Sequence, residues 1–272
     1  MIPKVIHYCW VGGQPLSDLA QKCIKSWKKY CPDYEIKEWN ENNFNIDCCA
    51  YTREAYDAKK MAFVSDYVRL YVLVNEGGIY MDTDVEVRSS LDSYLNNHAF
   101  SGFQSINEIP TGIMACEKGF PLFYELLHDY DCRHFELSRG EYDASTNVEA
   151  ITARCIEKGL RLNNQEQFVE GFHLYPMDVF CAKDCVTGEI CSTDNTVTIH
   201  HFAGSWKAKE LVIGKKIRDS LKGKGIALEM LGRVLALPFT FIGRCKLEGT
   251  KKSVKFYLHR TWALIGKKEL NQ

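Results

Sequence analysis

The stretch MAFVSDYVRLYVLVNEGGIYMDTDVEV, residues 61–87, decides the fold of this chain. Its first part places apolar side chains at Val64, Val68, Tyr71 and Val72. Apolar residues at such spacings form one continuous face of a helix, so the pattern predicts an α-helix with one buried side. Gly77 follows the last of these positions and is suited to end the helix.

The second part of the stretch predicts a buried strand that ends in carboxylates. Ile79-Tyr80-Met81 is a short apolar run, and Asp82-Thr83-Asp84 follows it directly. Open α/β sheets bind ligands at the ends of their strands. Carboxylate oxygens are ligands for hard divalent cations such as Mg²⁺ and Mn²⁺, which keep open positions for phosphates. We therefore expect a metal site at this strand end.

A charged pair interrupts the apolar helix that precedes this strand. Asp66 and Arg69 are three residues apart, which places both side chains on the same side of a helix. Apolar residues flank both positions, so a fully solvated surface pair is disfavoured. The pair is the natural candidate to hold a polar ligand beside the carboxylates.

The remaining chain alternates predicted strands and helices, which is typical of an α/β layered domain. Residues 4–10 and 34–39 are predicted strands, and a helix capped by Ser17 runs between them to Tyr30. Further strands are expected at residues 100–103, 112–116 and 196–200, and further helices at residues 121–130 and 147–157.

Charge divides the chain unequally although its formal net charge is −1. Residues 207–272 contain 16 Lys and Arg against 5 Asp and Glu, a net charge of +11. Residues 1–206 contain 18 basic and 30 acidic residues, a net charge of −12. We expect residues 1–206 to form the catalytic domain and residues 207–272 a basic helical tail. An acidic surface is the expected partner of that tail.

The tail mixes cationic residues with aliphatic and aromatic ones, as interfacial helices on anionic lipid do. The alternative is a helical cap with a solvated basic face. No recognition motif for nucleic acid accompanies the charge. Leu228 to Ile242 is the nearest candidate for a membrane span, but Gly232, Arg233 and Pro238 interrupt it. We expect a cytoplasmic protein that docks peripherally on the inner face of the cell membrane.

Twelve cysteines allow three interpretations. No secretory signal precedes the first strand, so reduced thiols in a reducing cytosol are expected rather than disulfides. A zinc site is the third interpretation, because Cys181, Cys185 and Cys191 are close in sequence and His200 and His201 follow. Structural zinc sites usually have tighter paired spacing, which disfavours it.

Three blocks together resemble the family-32 glycosyltransferases, which have a DXD-containing sugar-binding region. Residues 65–87, SDYVRLYVLVNEGGIYMDTDVEV, resemble the family signature, which the glucosyltransferase domain of large clostridial toxins also shares. Residues 3–13, PKVIHYCWVGG, resemble the first strand and nucleotide-base loop. Residues 200–206, HHFAGSW, resemble the C-terminal His/Ser-Trp block. The resemblance covers residues 3–206 and leaves out the basic tail.

This resemblance implies a fold and a reaction. The fold would be of the GT-A type, a Rossmann-like mixed sheet flanked by helices. The donor would be a nucleoside-diphosphate sugar, either a UDP-sugar or GDP-mannose, with Mn²⁺ or Mg²⁺ as cofactor. The sugar would pass with retained anomeric configuration to a saccharide acceptor. The resemblance extends to bacterial capsule and lipopolysaccharide transferases and yeast initiating mannosyltransferases.

The resemblance also implies a role for particular residues. Asp84 would be the direct metal ligand, Asp82 would contact ribose and sugar, and Asp66 and Arg69 would hold sugar hydroxyls. The remaining donor contacts and closing loop would come from Trp10, Asn42, Tyr80, Ser205 and Trp206. His200 or His201 would approach the metal or phosphate, and we assign His201 as the third metal ligand beside Asp82 and Asp84.

We therefore expect a metal-dependent retaining glycosyltransferase in capsule or O-antigen synthesis, with a lipid-linked acceptor. The sequence contains no clear nucleophile, so a front-face reaction and a double displacement both stay open. One alternative function is a phosphoryl-transfer or phosphatase enzyme that uses the Asp82/Asp84 pair. Another is a non-catalytic scaffold that binds nucleotide sugars.

Overall fold

The computed structural model describes residues 1–185, 187–204 and 209–257. Its strands are β1 (Val5–Cys9), β2 (Glu35–Trp39), β3 (Gly78–Met81), β4 (Val85–Val87), β5 (Ala99–Gly102), β6 (Ile113–Cys116), β7 (Glu136–Ser138), β8 (Glu141–Tyr142), β9 (Gln167–Val169), β10 (Phe172–Tyr175) and β11 (Thr198–His200). Its α-helices are α1 (Asp18–Tyr30), α2 (Ala50–Asp57), α3 (Met61–Glu76), α4 (Pro121–His128), α5 (Asn147–Glu157), α6 (Met177–Phe180), α7 (Lys209–Leu221) and α8 (Ile226–Glu248).

The chain divides into two compact units. Among the described residues, the first comprises residues 1–133 and 145–203, and the second comprises residues 134–144, 204 and 209–257. This division differs from the sequence-based one in a single element, because the β7–β8 hairpin belongs to the second unit. The boundary that we expected after Trp206 falls within residues 205–208, outside the described residues.

The first unit contains a mixed sheet of seven strands in the order β2-β1-β3-β6-β5-β10-β9. Strand β1 lies parallel to both β2 and β3, whereas β6 runs antiparallel to β3 and β5. A second, two-stranded sheet pairs β11 with β4 in antiparallel register, and His200 lies opposite Val85. The expected α/β fold, a mixed sheet flanked by helices, is confirmed.

Helix α1 covers one face of this sheet and also holds the segment after the acidic triplet. Ser17 caps the helix by accepting a hydrogen bond from the Ala20 N–H, as predicted. Trp27 is fully buried, and its indole N–H donates to the backbone carbonyl of Val85 over 2.7 Å. Because a buried indole N–H without a partner would be costly, this bond fixes β4 against α1.

Two consecutive glycines allow the tight passage from α3 into β3. Gly77 and Gly78 have φ values of +73° and +99°, a region that L-residues with a side chain rarely adopt. A Cβ atom would lie 2.7 Å from the Lys118 backbone nitrogen at Gly77, and 2.8 Å from the Val5 carbonyl oxygen at Gly78. The backbone packing at both positions therefore requires glycine.

In the second unit, α7 and α8 pack against each other through small residues. Gly232, Ala236 and Gly243 of α8 are buried, and a Cβ atom at Gly243 would lie 2.5 Å from Leu211 of α7. Large apolar side chains of α8 are instead exposed: Ile226, Leu228, Met230, Leu231, Val234, Leu235, Leu237 and Ile242. Small residues thus face the neighbouring helix while large apolar ones face outward.

Helix α8 is long and apolar enough to cross a membrane, judged by length and composition alone. It has 23 residues, and its most apolar window has a mean hydropathy of 1.6. We expected the apolar run to be interrupted at Gly232, Arg233 and Pro238, but the helix continues through all three. One proline removes only one backbone donor, and here its effect is not enough to end the helix.

Candidate functional site

Parallel strands bring three of the predicted segments to one edge of the sheet. Strands β1, β2 and β3 run in the same direction, and their carboxyl ends lead into Trp10, residues 40–43 and Asp82. A hydrogen bond joins the first two loops, because the Gly12 N–H donates to the Glu41 carboxylate over 2.6 Å. This is the edge at which open α/β sheets bind ligands.

Backbone hydrogen bonds hold the acidic triplet between β3 and β4 in place. The Asp82 N–H donates to the Gly112 carbonyl over 2.8 Å, and the Val85 N–H donates to the Asp82 carbonyl over 3.0 Å. The His201 N–H donates to the Asp84 carbonyl over 2.9 Å. A turn within the loop and two other segments, at Gly112 and His201, therefore fix the positions from which the two carboxylates project.

Asp82, Asp84 and His200 form a cluster that could hold a metal ion. One ligand atom from each lies within 4.8 Å of the others. Two carboxylates and one imidazole fit Mn²⁺, which accepts both ligand types, better than Mg²⁺, which favours oxygen ligands. His200 fits here because position 112 is glycine: a Cβ atom there would lie 2.6 Å from the imidazole Cε1.

Asp84 and His200 stabilise each other's charged forms. The His200 Nε2 lies 3.2 Å from the Asp84 Oδ1, and the Ala203 N–H donates to the Asp84 Oδ2 over 2.7 Å. Burial raises the pKa of Asp84, but the bond and charge of His200 and the Ala203 N–H outweigh it and lower this pKa to about 2. Burial lowers the pKa of His200, yet the bond to Asp84 and its charge raise it to about 10.

Arg69 connects the helix to the acidic triplet. Its guanidinium lies 3.2 Å from the Asp66 carboxylate and 3.0 Å from the Asp82 carboxylate, and it also donates to the Thr111 hydroxyl. The Tyr80 ring lies beneath it, with the guanidinium carbon 5.0 Å from the ring centroid. A planar fork with several donors can make these contacts at once, which a lysine cannot.

The N-terminus of α5 supports Asp66 from behind. Thr146 and Glu149 form a capping box at the start of α5. The Asn147 side-chain amide, in the first turn, donates to the Asp66 backbone carbonyl over 2.6 Å. Burial raises the pKa of the Asp66 carboxyl to about 6, although the charge of Arg69 acts in the opposite direction. Asp66 is therefore a buried acceptor that α5 holds in place.

The structure brings some of the predicted site residues together but not all of them. Asp66, Arg69, Asp82 and Asp84 are connected through Arg69 and the acidic triplet. The expected third metal ligand, His201, points elsewhere: its Nε2 lies 2.9 Å from Glu86, and His200 takes the place beside the carboxylates. The reason is the strand alternation, since neighbouring residues project to opposite faces.

Three other residues, Tyr80, Trp10 and Asn42, were predicted to contact the nucleotide sugar, and the structure shows the surroundings of each. Tyr80 is buried and supports Arg69 from below rather than facing an open cleft. Trp10 is half-buried and its indole N–H donates to the Gln14 carbonyl over 2.6 Å. Asn42 is exposed in the loop after β2. Ser205 and Trp206 lie outside the described residues.

Sequence reasoning missed Thr111, Gly112 and Asn147. Thr111 and Gly112 precede β6, whose pairing with β3 carries them to the acidic triplet. Asn147 is 81 residues from Asp66 in sequence. No local pattern marks such contacts. The capping box at Thr146 and Glu149 is the one sequence signal that indicates where α5 begins.

All twelve cysteines are free. Across the described parts of the chain, the group of His, Cys, Asp and Glu residues close enough to hold a metal is Asp82, Asp84 and His200. Cys181, Cys185 and Cys191 do not form such a group with a histidine. The zinc interpretation therefore has no geometric support in the part that the structure describes.

The chain is similar to known glycosyltransferases. Residues 17–101 match the family described as "Glycosyltransferase sugar-binding region containing DXD motif". An uncharacterized glycosyltransferase of Acanthamoeba polyphaga mimivirus is 24% identical over 203 residues, covering 68% of this chain and 77% of that protein. Inositol phosphoceramide mannosyltransferase 3 of Schizosaccharomyces pombe is 26% identical over 139 residues, covering 47% of this chain and 37% of the yeast protein.

Solved structures of glycosyltransferases align with the chain at low similarity. A glycosyltransferase involved in glycosylation of the PBCV-1 major capsid aligns with 10% identity and a TM-score of 0.41, covering 74% of this chain and 95% of that one. The galactosyltransferase LgtC, solved with donor and acceptor sugar analogs, aligns with 13% identity and a TM-score of 0.37, covering 73% and 87%.

Residues 17–101, which include the Asp82-Thr83-Asp84 triplet, match the DXD-containing sugar-binding region of glycosyltransferases, and the resemblance expected from the sequence is confirmed.

Proposed function

We propose that this protein transfers a sugar from a nucleoside-diphosphate donor to a saccharide acceptor, with retention of configuration and dependence on a divalent ion. The observation that carries the proposal is the continuous arrangement of Asp66, Arg69 and Asp82 beside the cluster of Asp82, Asp84 and His200. One half of this arrangement suits sugar hydroxyls, and the other suits an ion with a diphosphate.

The half of the site around Arg69 can bind and orient a sugar. The Asp66 carboxylate can accept hydrogen bonds from two neighbouring hydroxyls. The contact of Arg69 with Asp82 fixes both groups, so a sugar would meet a rigid set of donors and acceptors. Rigid positioning of a reacting group lowers the barrier because the ordering cost is met on binding.

The half around Asp84 can hold the leaving group. Asp82, Asp84 and His200 would hold a divalent ion, which would supply positive charge to a departing nucleoside diphosphate. His200 must release its proton before its nitrogen can act as a ligand. Asp84 retains its charge throughout the physiological range because its pKa is about 2.

The finer assignments rest on the sequence resemblance. They include Mn²⁺ or Mg²⁺ as the ion, retention of configuration, Trp10 stacking on the nucleobase, and closure by Ser205 and Trp206. We propose a UDP-sugar or GDP-mannose as donor and a lipid-linked glycan in surface polysaccharide synthesis as acceptor. A yeast relative is named as an inositol phosphoceramide mannosyltransferase, which supports an acceptor carried on a lipid.

The test is transfer from radiolabelled UDP-sugars and GDP-mannose, with Mn²⁺ present or after chelation. We expect Mn²⁺-dependent transfer of labelled sugar from one nucleotide class to a saccharide acceptor, and a Mn²⁺-dependent rise in melting temperature with the same donor. Asp84→Asn should abolish both effects and keep the fold. Asp57→Asn, which changes an exposed aspartate on α2, is the matched control and should keep both.

The same assay separates the rival functions. A phosphatase would release inorganic phosphate and leave the sugar on its product. A scaffold would show the thermal shift without turnover. Full transfer by Asp84→Asn would contradict the metal role of this residue.

We further propose that the second unit docks on an anionic bilayer, which would place the protein on the inner face of the cell membrane. The support is the orientation of α8. Its small residues Gly232, Ala236 and Gly243 face α7, and its large apolar residues are exposed. Helix pairs in lipid pack in this way, because small residues allow close approach. Lys and Arg residues of the same unit suit anionic head groups.

Flotation of the full chain with vesicles of anionic or neutral phospholipid tests this docking. The variant Met230→Glu/Val234→Glu changes two side chains that are 61% and 59% exposed, so it should keep the fold and lose flotation. Phe168→Glu, at a 69% exposed position of the first unit, is the control and should float as wild type. Equal flotation of all three proteins would refute the proposal. Release by high salt would indicate surface docking, and resistance to salt would indicate insertion.

A further inference from the structure

Two adjacent cysteines lie at the start of α2, outside the site described above. Cys48 ends a short 3₁₀ segment, Ile46–Cys48, and Cys49 precedes the first residue of α2. Cys48 is exposed and Cys49 is half-buried. They are the only neighbouring cysteines in the sequence, and a reagent in solution can reach the pair.

One hydroxyl group brings the two sulfur atoms together. The Thr52 Oγ1 lies 3.6 Å from the Cys48 Sγ and 3.4 Å from the Cys49 Sγ. Thr52 donates its own hydroxyl hydrogen to the Ile46 carbonyl over 2.7 Å, so its oxygen can accept hydrogen bonds from the thiols. Both sulfurs therefore converge on one buried acceptor in the first turn of a helix.

We propose that Cys48 and Cys49 form a thiol–disulfide exchange site for low-molecular-weight disulfides. The Cys49 thiolate attacks one sulfur of the disulfide RSSR, which forms a mixed disulfide and releases RS⁻. The Cys48 thiolate then attacks the Cys49 sulfur, which forms the Cys48–Cys49 disulfide and releases a second RS⁻. The two thiols of the protein lose two electrons, RSSR gains them, and the two protons leave with the released thiols.

The environment of Cys49 favours its role as the attacking group. A hydrogen bond from Cys48 lowers the pKa of the Cys49 thiol to about 6, with further contributions from the Thr52 hydroxyl and the Thr52 and Tyr51 backbone. Burial acts in the opposite direction. The thiolate is the nucleophile in exchange, so this environment increases the reactive fraction at neutral pH.

A packed chain of side chains leads from this pair towards Asp66. Tyr67 of α3 interacts with Cys48, and its ring meets Tyr130 edge-on with centroids 5.4 Å apart. The Tyr130 hydroxyl donates to the Asn147 side chain over 2.6 Å, and Asn147 holds Asp66. Oxidation should therefore weaken donor binding, a consequence that rests on the proposed function, whereas the exchange itself does not.

The probe is glutathione disulfide, applied to the folded full chain and followed by peptide mass spectrometry. Cys132 and Cys191 are exposed single cysteines and act as internal controls. We expect the pair to react at least about tenfold faster than either control. Cys48→Ser should accumulate the mixed disulfide on Cys49, because no second thiol resolves it. Cys49→Ser should react at the rate of the controls.

Thr52→Val keeps the shape of the side chain and removes the hydroxyl. It should slow the reaction of Cys48 and Cys49 with glutathione disulfide towards the rate of Cys132 and Cys191. The melting temperature of the variant shows whether it is still folded. Reaction of Cys48 and Cys49 at the same rate as Cys132 and Cys191 would overturn the proposal. So would a Cys48→Ser protein that gathers no adduct on Cys49. If glutathione disulfide abolished sugar transfer but left no adduct on Cys48 or Cys49, the exchange site would be refuted. The proposed function would not be affected by that result.

Discussion

At the residue scale, Arg69 connects the groups of the site more than either carboxylate of the triplet does. It contacts Asp66 on its own helix, Asp82 beyond β3 and Thr111 before β6, and it is buried. A buried charge is tolerated only when its partners surround it. Removing its fork would leave buried acceptors without donors, so stability and ligand orientation depend on the same side chain.

We expect Arg69→Lys to lower the free energy of unfolding by about 1–3 kcal/mol, because one ammonium cannot reach all three partners. Urea denaturation measures the change. Arg154→Lys is the control, since Arg154 makes its ion pairs with Glu125 and Asp129 near the surface. Surface pairs contribute about 0–1 kcal/mol, so this variant should change little. Equal losses in both variants would contradict the central role of Arg69.

His200 should give the metal-free protein a characteristic dependence on pH. Its folded pKa of about 10 lies above the ordinary value of 6.5, because the bond and charge of Asp84 outweigh burial. Its stabilising contribution is therefore fully present below pH 6.5 and is lost as the pH rises through about 10. Urea denaturation with EDTA, compared with His200→Gln at each pH, isolates this contribution. A constant difference between the two proteins across that range would refute the pairing.

At the element scale, the sequence predicted those helices and strands whose periodicity or punctuation is local. Helix α3 has a regular apolar face and ends at Gly77, and the predicted limits of α5, residues 147–157, agree with the observed ones. Helix α2 has eight residues and no side-chain cap, and nothing local marks it. Strands β9 and β10 also escaped prediction, since β10 pairs with β5 from far along the chain.

Some residues of the site can be predicted from the local sequence, whereas others depend on contacts between segments that are distant in the sequence. Asp82 and Asp84 are predictable because they follow a recognisable strand. His200 is the last residue of β11 and His201 follows it, so the choice between them depends on how the pairing of β11 with β4 orients the end of the strand. Asn147 and Thr111 act through hydrogen bonds between distant segments, for which one sequence carries no signature.

The capping box of α5 should affect ligand binding as well as stability. Thr146→Ala removes the side-chain acceptor for the Glu149 N–H and should cost about 1 kcal/mol. Ser17→Ala removes the equivalent cap of α1 and should cost about the same. Only Thr146→Ala should also weaken donor binding in calorimetry, because Asn147 at the start of α5 holds Asp66. Equal donor affinities in the two variants would contradict this coupling.

At the scale of the whole molecule, the two compact units have differently organised interiors. In the first unit, large side chains such as Trp27, Phe100 and Phe180 fill the core. In the second unit, glycine and alanine form the contact between α7 and α8. Substitutions that enlarge a buried glycine should therefore disturb the second unit locally.

Gly243→Ala tests this organisation. The added Cβ would lie 2.5 Å from Leu211, so α7 and α8 must move apart, at a cost of about 1–3 kcal/mol. Hydrogen exchange should become faster in the amides of α7 and α8 and stay unchanged in β1 and β3. Gly232→Ala is a milder control, since its nearest contact, with Leu221, would be 3.2 Å. Unchanged exchange in α7 and α8 of Gly243→Ala would show that this contact is not tight.

The backbone bonds around the acidic triplet have a thermodynamic consequence. The Gly112 carbonyl accepts from the Asp82 N–H, the His201 N–H donates to the Asp84 carbonyl, and the Trp27 indole donates to the Val85 carbonyl, so contacts within the protein order the loop. A loop that folds around its ion buries new apolar surface and gives a large negative heat-capacity change. Here the heat capacity of ion binding should be close to zero, and the binding enthalpy should vary little with temperature.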